Sequence, residues 1–204
     1  MKPMEPSVDT ALVLGGWLVV ALVFVLRRRP GATTEKRRDP RSLLGIVLQG
    51  AGFAIAWSWR RGIGAPFVPG SGSTGDLLVT LLIAGLVAAG CWLLIGAVRA
   101  LGKQWSLAAR VLEGHELITA GPFRVVRHPI YTGMMGLMLA TGLALATWQG
   151  LIAASLLYVL GTTVRISSEE RLMRAQFGGV YENYASRVPA LFPLVRGWLR
   201  EDGR

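Results

Sequence analysis

Between Pro129 and Arg165 the chain carries no charged side chain. At about 1.5 Å of rise per residue, such a run is too long for one passage through a hydrocarbon layer roughly 30 Å thick and comfortable for two. Backbone amides in lipid must be satisfied inside helices or a closed barrel, so the run restricts the fold more than any other feature. It reads as a tight helical hairpin with spans near 129–147 and 150–164, turning at Thr147 to Gly150 (TWQG). Three more uncharged runs come earlier, Thr10 to Leu26, Ser42 to Trp59 and Leu77 to Val98, which place spans near 10–26, 42–59 and 77–98. The expectation is an all-α integral membrane protein of five transmembrane helices in a single domain, 1–204, completed by a cytosolic loop and a C-terminal helix.

The segments between these runs fix an orientation. Seven Lys and Arg lie from Arg27 to Arg41, five from Arg99 to Arg127 and seven from Arg165 onward, against Lys2 at the N-terminus and Arg60 and Arg61 in the second loop. Basic residues concentrate in cytosolic loops, so the N-terminus is expected outside and the C-terminus in the cytosol, at the inner membrane if the cell is prokaryotic. The formal net charge of +10 would suggest nucleic acid in a soluble protein. Its placement beside apolar runs assigns it to membrane topology, and no nucleic-acid partner is expected. Glu5 and Asp9 precede the first run with no small-residue cleavage site, so that run reads as a retained anchor. The single cysteine, Cys91, lies in an apolar segment and reads as a small filler, with no disulfide framework. Gly136, Ala140 and Ala144 recur at every fourth residue, a small-residue ridge suited to close packing inside the hairpin or to dimerisation. The oligomeric state is left open.

The chemistry concentrates at the mouth of the hairpin. Gly121 to Gly133 reads GPFRVVRHPIYTG, with two arginines, a histidine and two prolines just before an apolar helix. Pro129 pushes His128 away from helical geometry and itself suits a first helical turn, whose unpaired amides and positive dipole end favour an anion. Arg127 adds a planar fork that matches a carboxylate. After the out-and-back hairpin, SSEERLMRAQFGGVYENY brings Glu169 and Glu170 to the same face, near the start of a helix whose apolar face would be Met173, Phe177, Val180, Tyr181 and Tyr184. An Arg, a helix start and a Glu in one crevice suit a ligand with a carboxylate and nearby ammonium and sulfonium charges, of which S-adenosylmethionine is an example. Each residue also has a structural reading: the arginines as cytosolic anchors, Tyr131 as an interfacial aromatic, Arg165 and Glu169 as a helix-surface ion pair. His115 reads as a loop histidine, and no metal site is proposed because no second ligand stands at a metal-binding spacing.

These motifs resemble the isoprenylcysteine carboxyl methyltransferases and related phospholipid methyltransferases of membranes. The resemblance covers about the second half of the chain, from LGKQWSLAARVLEGHELITAGPFRVVRHPIYTG (Leu101 to Gly133) through the hairpin to EERLMRAQFGGVYENYASRVPALFP (Glu169 to Pro193). The pattern is a glycine-proline-aromatic step before RHPxYxG, then a glutamate pair, FGxxYxxY and a closing VPxxxP-like segment. Phe123 stands where the family often has tyrosine and keeps the ring. The first two spans match in hydropathy alone.

The resemblance implies an S-adenosylmethionine site facing the cytosol. Gln104, His115, Glu116, Leu117 and Ile118 would line the cofactor, with Gly121 beside them, and Arg127, His128, Pro129 and Tyr131 would hold its amino-acid end and sugar. Glu169 and Glu170 would be the acidic pair, and Arg165 a basic position near the acceptor. The implied reaction is in-line displacement at the sulfonium methyl, which needs alignment and desolvation. Arg165 would hold a carboxylate acceptor, and Glu169 would take the proton from an amine or thiol. The acceptor would be a lipophilic small molecule or a lipid-modified substrate, entering sideways from the bilayer while the cofactor enters from the cytosol. Two other readings are an NADPH-dependent membrane reductase of the sterol or steroid type, and a non-catalytic membrane subunit whose basic loops contact anionic lipid.

Overall fold

The computed structural model of the protein describes residues 7–27, 35–62, 65–68, 70, 72–105, 110–112 and 116–192. Six helices are found among them: α1 (Val8–Arg27), α2 (Arg41–Ser58), α3 (Gly72–Leu101), α4 (Pro129–Leu145), α5 (Trp148–Phe177) and α6 (Gly179–Arg187). Three of these, α1, α3 and α5, are long and apolar enough to cross a membrane. The helix α4 is apolar but has 17 residues, and α2 opens on a charged residue, Arg41, and carries Gln49 at mid-length. Leu14, Leu18, Leu81, Leu82 and Leu156 are exposed on α1, α3 and α5, whereas Gln49, Thr141, Thr162 and Arg165 are buried. Apolar outside and polar inside is the pattern of an integral membrane protein.

The architecture is helical as expected, with one short addition: Glu35–Arg38 (β1) and Arg110–Leu112 (β2) form an antiparallel ribbon. Backbone pairing ties the first basic loop to the loop before α4, which are far apart in sequence. The acidic pair, against expectation, does not stand at a helix start. Glu169 and Glu170 lie well inside the 30-residue α5, which runs past the last apolar residue of its span, Val164, and ends only at Phe177. Gly178, at φ 51°, then breaks the chain direction, so FGGVYENY divides between α5 and the separate helix α6. Tyr181 is consequently buried while Val180, expected on the same apolar face, is exposed.

The hairpin turn forms where expected: Thr147 caps α5, its Oγ1 accepting from the Gly150 amide at 3.2 Å. Its two helices, however, find their main partners elsewhere, α5 against α2 and α4 against α3. Glycines decide this. A Cβ on Gly52 would stand 2.8 Å from the Ala154 carbonyl oxygen, and one on Gly90 would stand 2.7 Å from that of Gly133. The ridge of Gly136, Ala140 and Ala144 therefore packs on helices other than its hairpin partner. Gly136 meets the Leu86 backbone of α3, and Ala140 and Ala144 cluster with Val13 of α1 and Ile83 of α3.

At the end remote from the acidic pair, Arg61 closes the bundle. Its Nη1 and Nη2 donate to the carbonyls of Ala146 (3.0 Å) and Ala144 (2.8 Å), and its backbone amide donates to Leu145 (3.0 Å). A guanidinium on the exposed carbonyls of a helix C-terminus satisfies groups that the helix leaves open and complements its dipole. Arg61→Ala should lower stability by about 2 kcal/mol, the range for hydrogen bonds to a charged group. Thermal unfolding in detergent would show this as a lower midpoint, with ligand binding at the far end unchanged.

Candidate functional site

The loop before α4 enters the site through a 3₁₀ turn, Gly121–Arg124, which Gly121 opens at φ 62°. Pro122 packs against Gly96 of α3, where a Cβ would come within 2.7 Å of its Cγ. Pro129 is the first residue of α4, and His128 before it lies at φ −123°, outside helical geometry as the proline requires. The closing segment then zips onto this loop. The amides of Arg127 and His128 donate to the carbonyls of Pro189 (2.8 Å) and Ala190 (3.0 Å), and Thr132 Oγ1 donates to Leu191 (2.8 Å). This gives Pro189 to Leu191 of the closing motif a physical role, as a strap that supplies acceptors to the loop at the start of α4.

Two carboxylates organise the charges. Glu170 Oε1 accepts from Arg127 Nε (3.0 Å) and Nη2 (2.7 Å), and Glu170 Oε2 accepts from Arg174 Nη2 (2.9 Å). Arg127 Nη1 donates to the carbonyls of Ala185 and Val188, so this side chain also anchors the end of α6. Between the glutamates stands His128, with Nδ1 at 3.3 Å from Glu169 and Nε2 at 3.3 Å from Glu170. An ionised carboxylate only accepts, so both ring nitrogens must donate, and His128 fits as an imidazolium. Burial would push its pKa down, but the hydrogen bonds and charges of Glu169 and Glu170 prevail and raise it. Burial would likewise push Glu170 up. Hydrogen bonds from His128 and Arg127, and their charges, instead hold its carboxyl down to about 2.

Glu169 turns the other way. Its side chain is 26% exposed against 8% for Glu170, so only one of the two presents its charge to open space. Tyr131 donates its hydroxyl to Glu169 and stacks on His128 at 5.7 Å. Arg165 lies 4.7 Å over the Tyr131 ring and 3.9 Å from the Glu169 carboxylate.

These side chains border a cavity of about 210 Å³. At the roughly 30 Å³ that a water occupies in the liquid, this is room for about seven waters, a ligand-sized space rather than a packing defect. Its polar wall includes Gln104, Glu116, Arg127, His128, Arg165 and Glu169, and Leu117, Ile118, Pro129 and Tyr131 also line it. Gln104 is held to the loop by accepting from the Glu116 amide at 2.6 Å. Two of the expected site residues stand back from the wall. Glu170 acts behind it, through Arg127 and His128, and Gly121 shapes the preceding turn. His115 lies outside the described residues.

The sequence reading missed the apolar side of the cavity, formed by Phe24 of α1, Phe53 of α2, and Met134 and Tyr158 of the hairpin, together with one polar residue of α2, Gln49. A signal for Gln49 was present, since a lone amide inside an apolar span points to function by default.

The fold and cavity define a class: a helical membrane protein with a charged, ligand-sized site at the end of its bundle where the basic loops gather. Residues 79–179 match the phospholipid methyltransferase family. The chain is 31% identical over 113 residues to a protein-S-isoprenylcysteine O-methyltransferase of Schizosaccharomyces pombe, covering 54% of this chain and 48% of that protein. It is 34% identical over 83 residues to protein-S-isoprenylcysteine O-methyltransferase B of Arabidopsis thaliana, covering 41% and 42%. With methanethiol S-methyltransferase 2 of Bradyrhizobium diazoefficiens it shares 31% over 160 residues, covering 74% and 58%. The segment 79–179 therefore carries the pattern of the phospholipid methyltransferase family, and the chain is similar to both O- and S-methyltransferases. It spans about half the length of the curated relatives that it matches.

Proposed function

We propose that this protein transfers a methyl group from S-adenosylmethionine to a lipophilic acceptor at the cytosolic membrane face. In this reading α1 to α5 are five spans, with the N-terminus outside and the site inside. The observation that carries it is the meeting of Glu169, Arg165, His128 and Tyr131 on one cavity whose other side is apolar. The donor set fits a molecule bearing both signs of charge. The Glu169 carboxylate suits a cation, while the start of α4, with first-turn amides that have no partner inside the helix, suits a carboxylate. Arg127 and His128 contribute their field there, their own donors being engaged by the glutamates and by the end of α6.

S-adenosylmethionine, when bound, supplies an electrophilic methyl on a sulfonium sulfur. The protein's own part is positioning and drying. Phe24, Phe53 and Met134 give the acceptor an apolar wall and exclude water from the side facing lipid. Arg165, which lies over Tyr131, would hold a carboxylate acceptor, and Glu169 would take a proton from a thiol. The names of the relatives, isoprenylcysteine O-methyltransferase and methanethiol S-methyltransferase, favour an acceptor of one of these two kinds.

The test is calorimetric titration of purified protein with S-adenosylmethionine and, separately, NADPH, followed by labelled methyl transfer to a lipid extract. S-adenosylmethionine should bind and NADPH should not. Glu169→Gln should weaken binding by about tenfold or more, the scale of a charge-assisted contact. Binding of NADPH alone, or of neither, would rule out the methyltransferase reading.

A further inference from the structure

The cavity lining includes a buried amide from ahead of the family-matched stretch of 79–179. Gln49 lies at the middle of α2, buried, and borders the cavity beside Arg165. Its Nε2 donates to Thr162 Oγ1 at 2.8 Å, and its Oε1 accepts from Arg165 Nη1 at 3.1 Å. The amide cannot be turned around, because a guanidinium offers only donors and must face the oxygen. Thr162 therefore sets the amide plane, and the amide sets one edge of the guanidinium. On its face Arg165 rests on the Tyr131 ring, at 4.7 Å.

The backbone is shaped to let this happen. A Cβ on Gly45 would lie 2.4 Å from Arg165 Cγ, and a Cβ on Gly161 would lie 2.9 Å from Gln49 Cγ and 2.8 Å from its backbone nitrogen. Glycines one helical turn before each of the two side chains thus bring α2 and α5 close enough for a glutamine to reach an arginine on the neighbouring helix. Gluing the helices together needs only the bond from Gln49 to Thr162. The second bond, to a cation on the cavity wall, points to a task at the site.

We infer that Gln49 is a positioning residue for Arg165, and that through it α2 sets the alignment of the acceptor; this rests on the methyltransferase reading. The expected consequence is a split between the two substrates. An Arg165 released from its amide still carries its charge, so cofactor binding persists, but the acceptor is held out of line. A displacement of about 1 Å is enough to cost on the order of a hundredfold in rate.

The experiment uses the full chain in detergent with Gln49→Met, which keeps length and volume, and Thr162→Val and Thr162→Ser, which remove and keep the hydroxyl. Probes are S-farnesylcysteine as a carboxylate acceptor and dodecanethiol as a thiol. Gln49→Met and Thr162→Val should lower kcat/KM for the acceptor roughly tenfold or more, with the S-adenosylmethionine Kd within about twofold of wild type, while Thr162→Ser should retain turnover. A purely structural role would lower stability and leave both constants in step, and that result would overturn the inference. A solved structure of Gln49→Met decides it independently of activity: Arg165 should leave the Tyr131 ring, and its staying there would equally overturn the inference. A wild-type chain that binds no S-adenosylmethionine sinks the parent reading instead, and the position of Arg165 in Gln49→Met still tests the contact.

Discussion

Glu170→Ala should unfold the site end of the bundle before any other single change at the site does. The substitution removes one carboxylate shared by Arg127, Arg174 and His128, and leaves Arg127 without a carboxylate and His128 with Glu169 alone. Removing one partner of a buried pair costs about 3–5 kcal/mol, because the remaining charge loses its compensation without regaining water. The detergent melting midpoint should fall accordingly. The fall should exceed that of Glu169→Gln, since Glu169 is partly exposed and its loss leaves Arg127 paired.

The same network gives the wild type a pH window. His128 has a raised pKa, so its contribution is complete below its ordinary value of 6.5 and is lost as pH climbs through the raised one. Glu170 is held down to about 2, so its contribution is complete above its ordinary 4.5 and is lost as pH falls toward that lower value. Stability from this cluster should therefore be greatest between about pH 4.5 and 6.5 and decline on both sides. A melting series across pH checks this, and Glu170→Ala should flatten the acidic limb.

The second large effect is expected where α2 meets α5. Gly161→Ala places a methyl 2.6 Å from the Gly45 carbonyl oxygen and 2.8 Å from the Gln49 nitrogen, both backbone atoms that cannot swing aside. The helices must separate, at about 1–3 kcal/mol for overpacking. Gly50→Ala on the same α2 has nothing within 4 Å and should be neutral or slightly stabilising, as expected for alanine in place of glycine inside a helix. The pair of melting curves isolates the contact. Equal behaviour of the two variants would mean that α2 and α5 do not pack as described.

The reach of the sequence can be judged from these residues. Uncharged runs place α1 to α5 because lipid tolerates little besides self-satisfied helices, and a period of apolar residues is a local property. Pro129 likewise fixes the start of α4, and Thr147 the turn, through constraints that act within a few residues. The RHPxYxG stretch and the glutamate pair mark a site because their charges are out of place beside apolar spans.

What the sequence could not assign was partnership. Nothing local says that Glu170 supports Arg127 from behind while Glu169 faces the cavity, because adjacent residues on a helix look alike in sequence and differ only in what packs around them. The length of α5 was equally hidden. Charged residues after Val164 resemble the start of a new helix until their partners on α6 and the loop before α4 are in place. The ribbon of β1 and β2 pairs distant segments by backbone alone, so no side-chain pattern announces it. Local physics determined the elements and the membrane; tertiary packing decided which charge meets which, because that depends on the distances between helices, and glycines at their contacts set those distances.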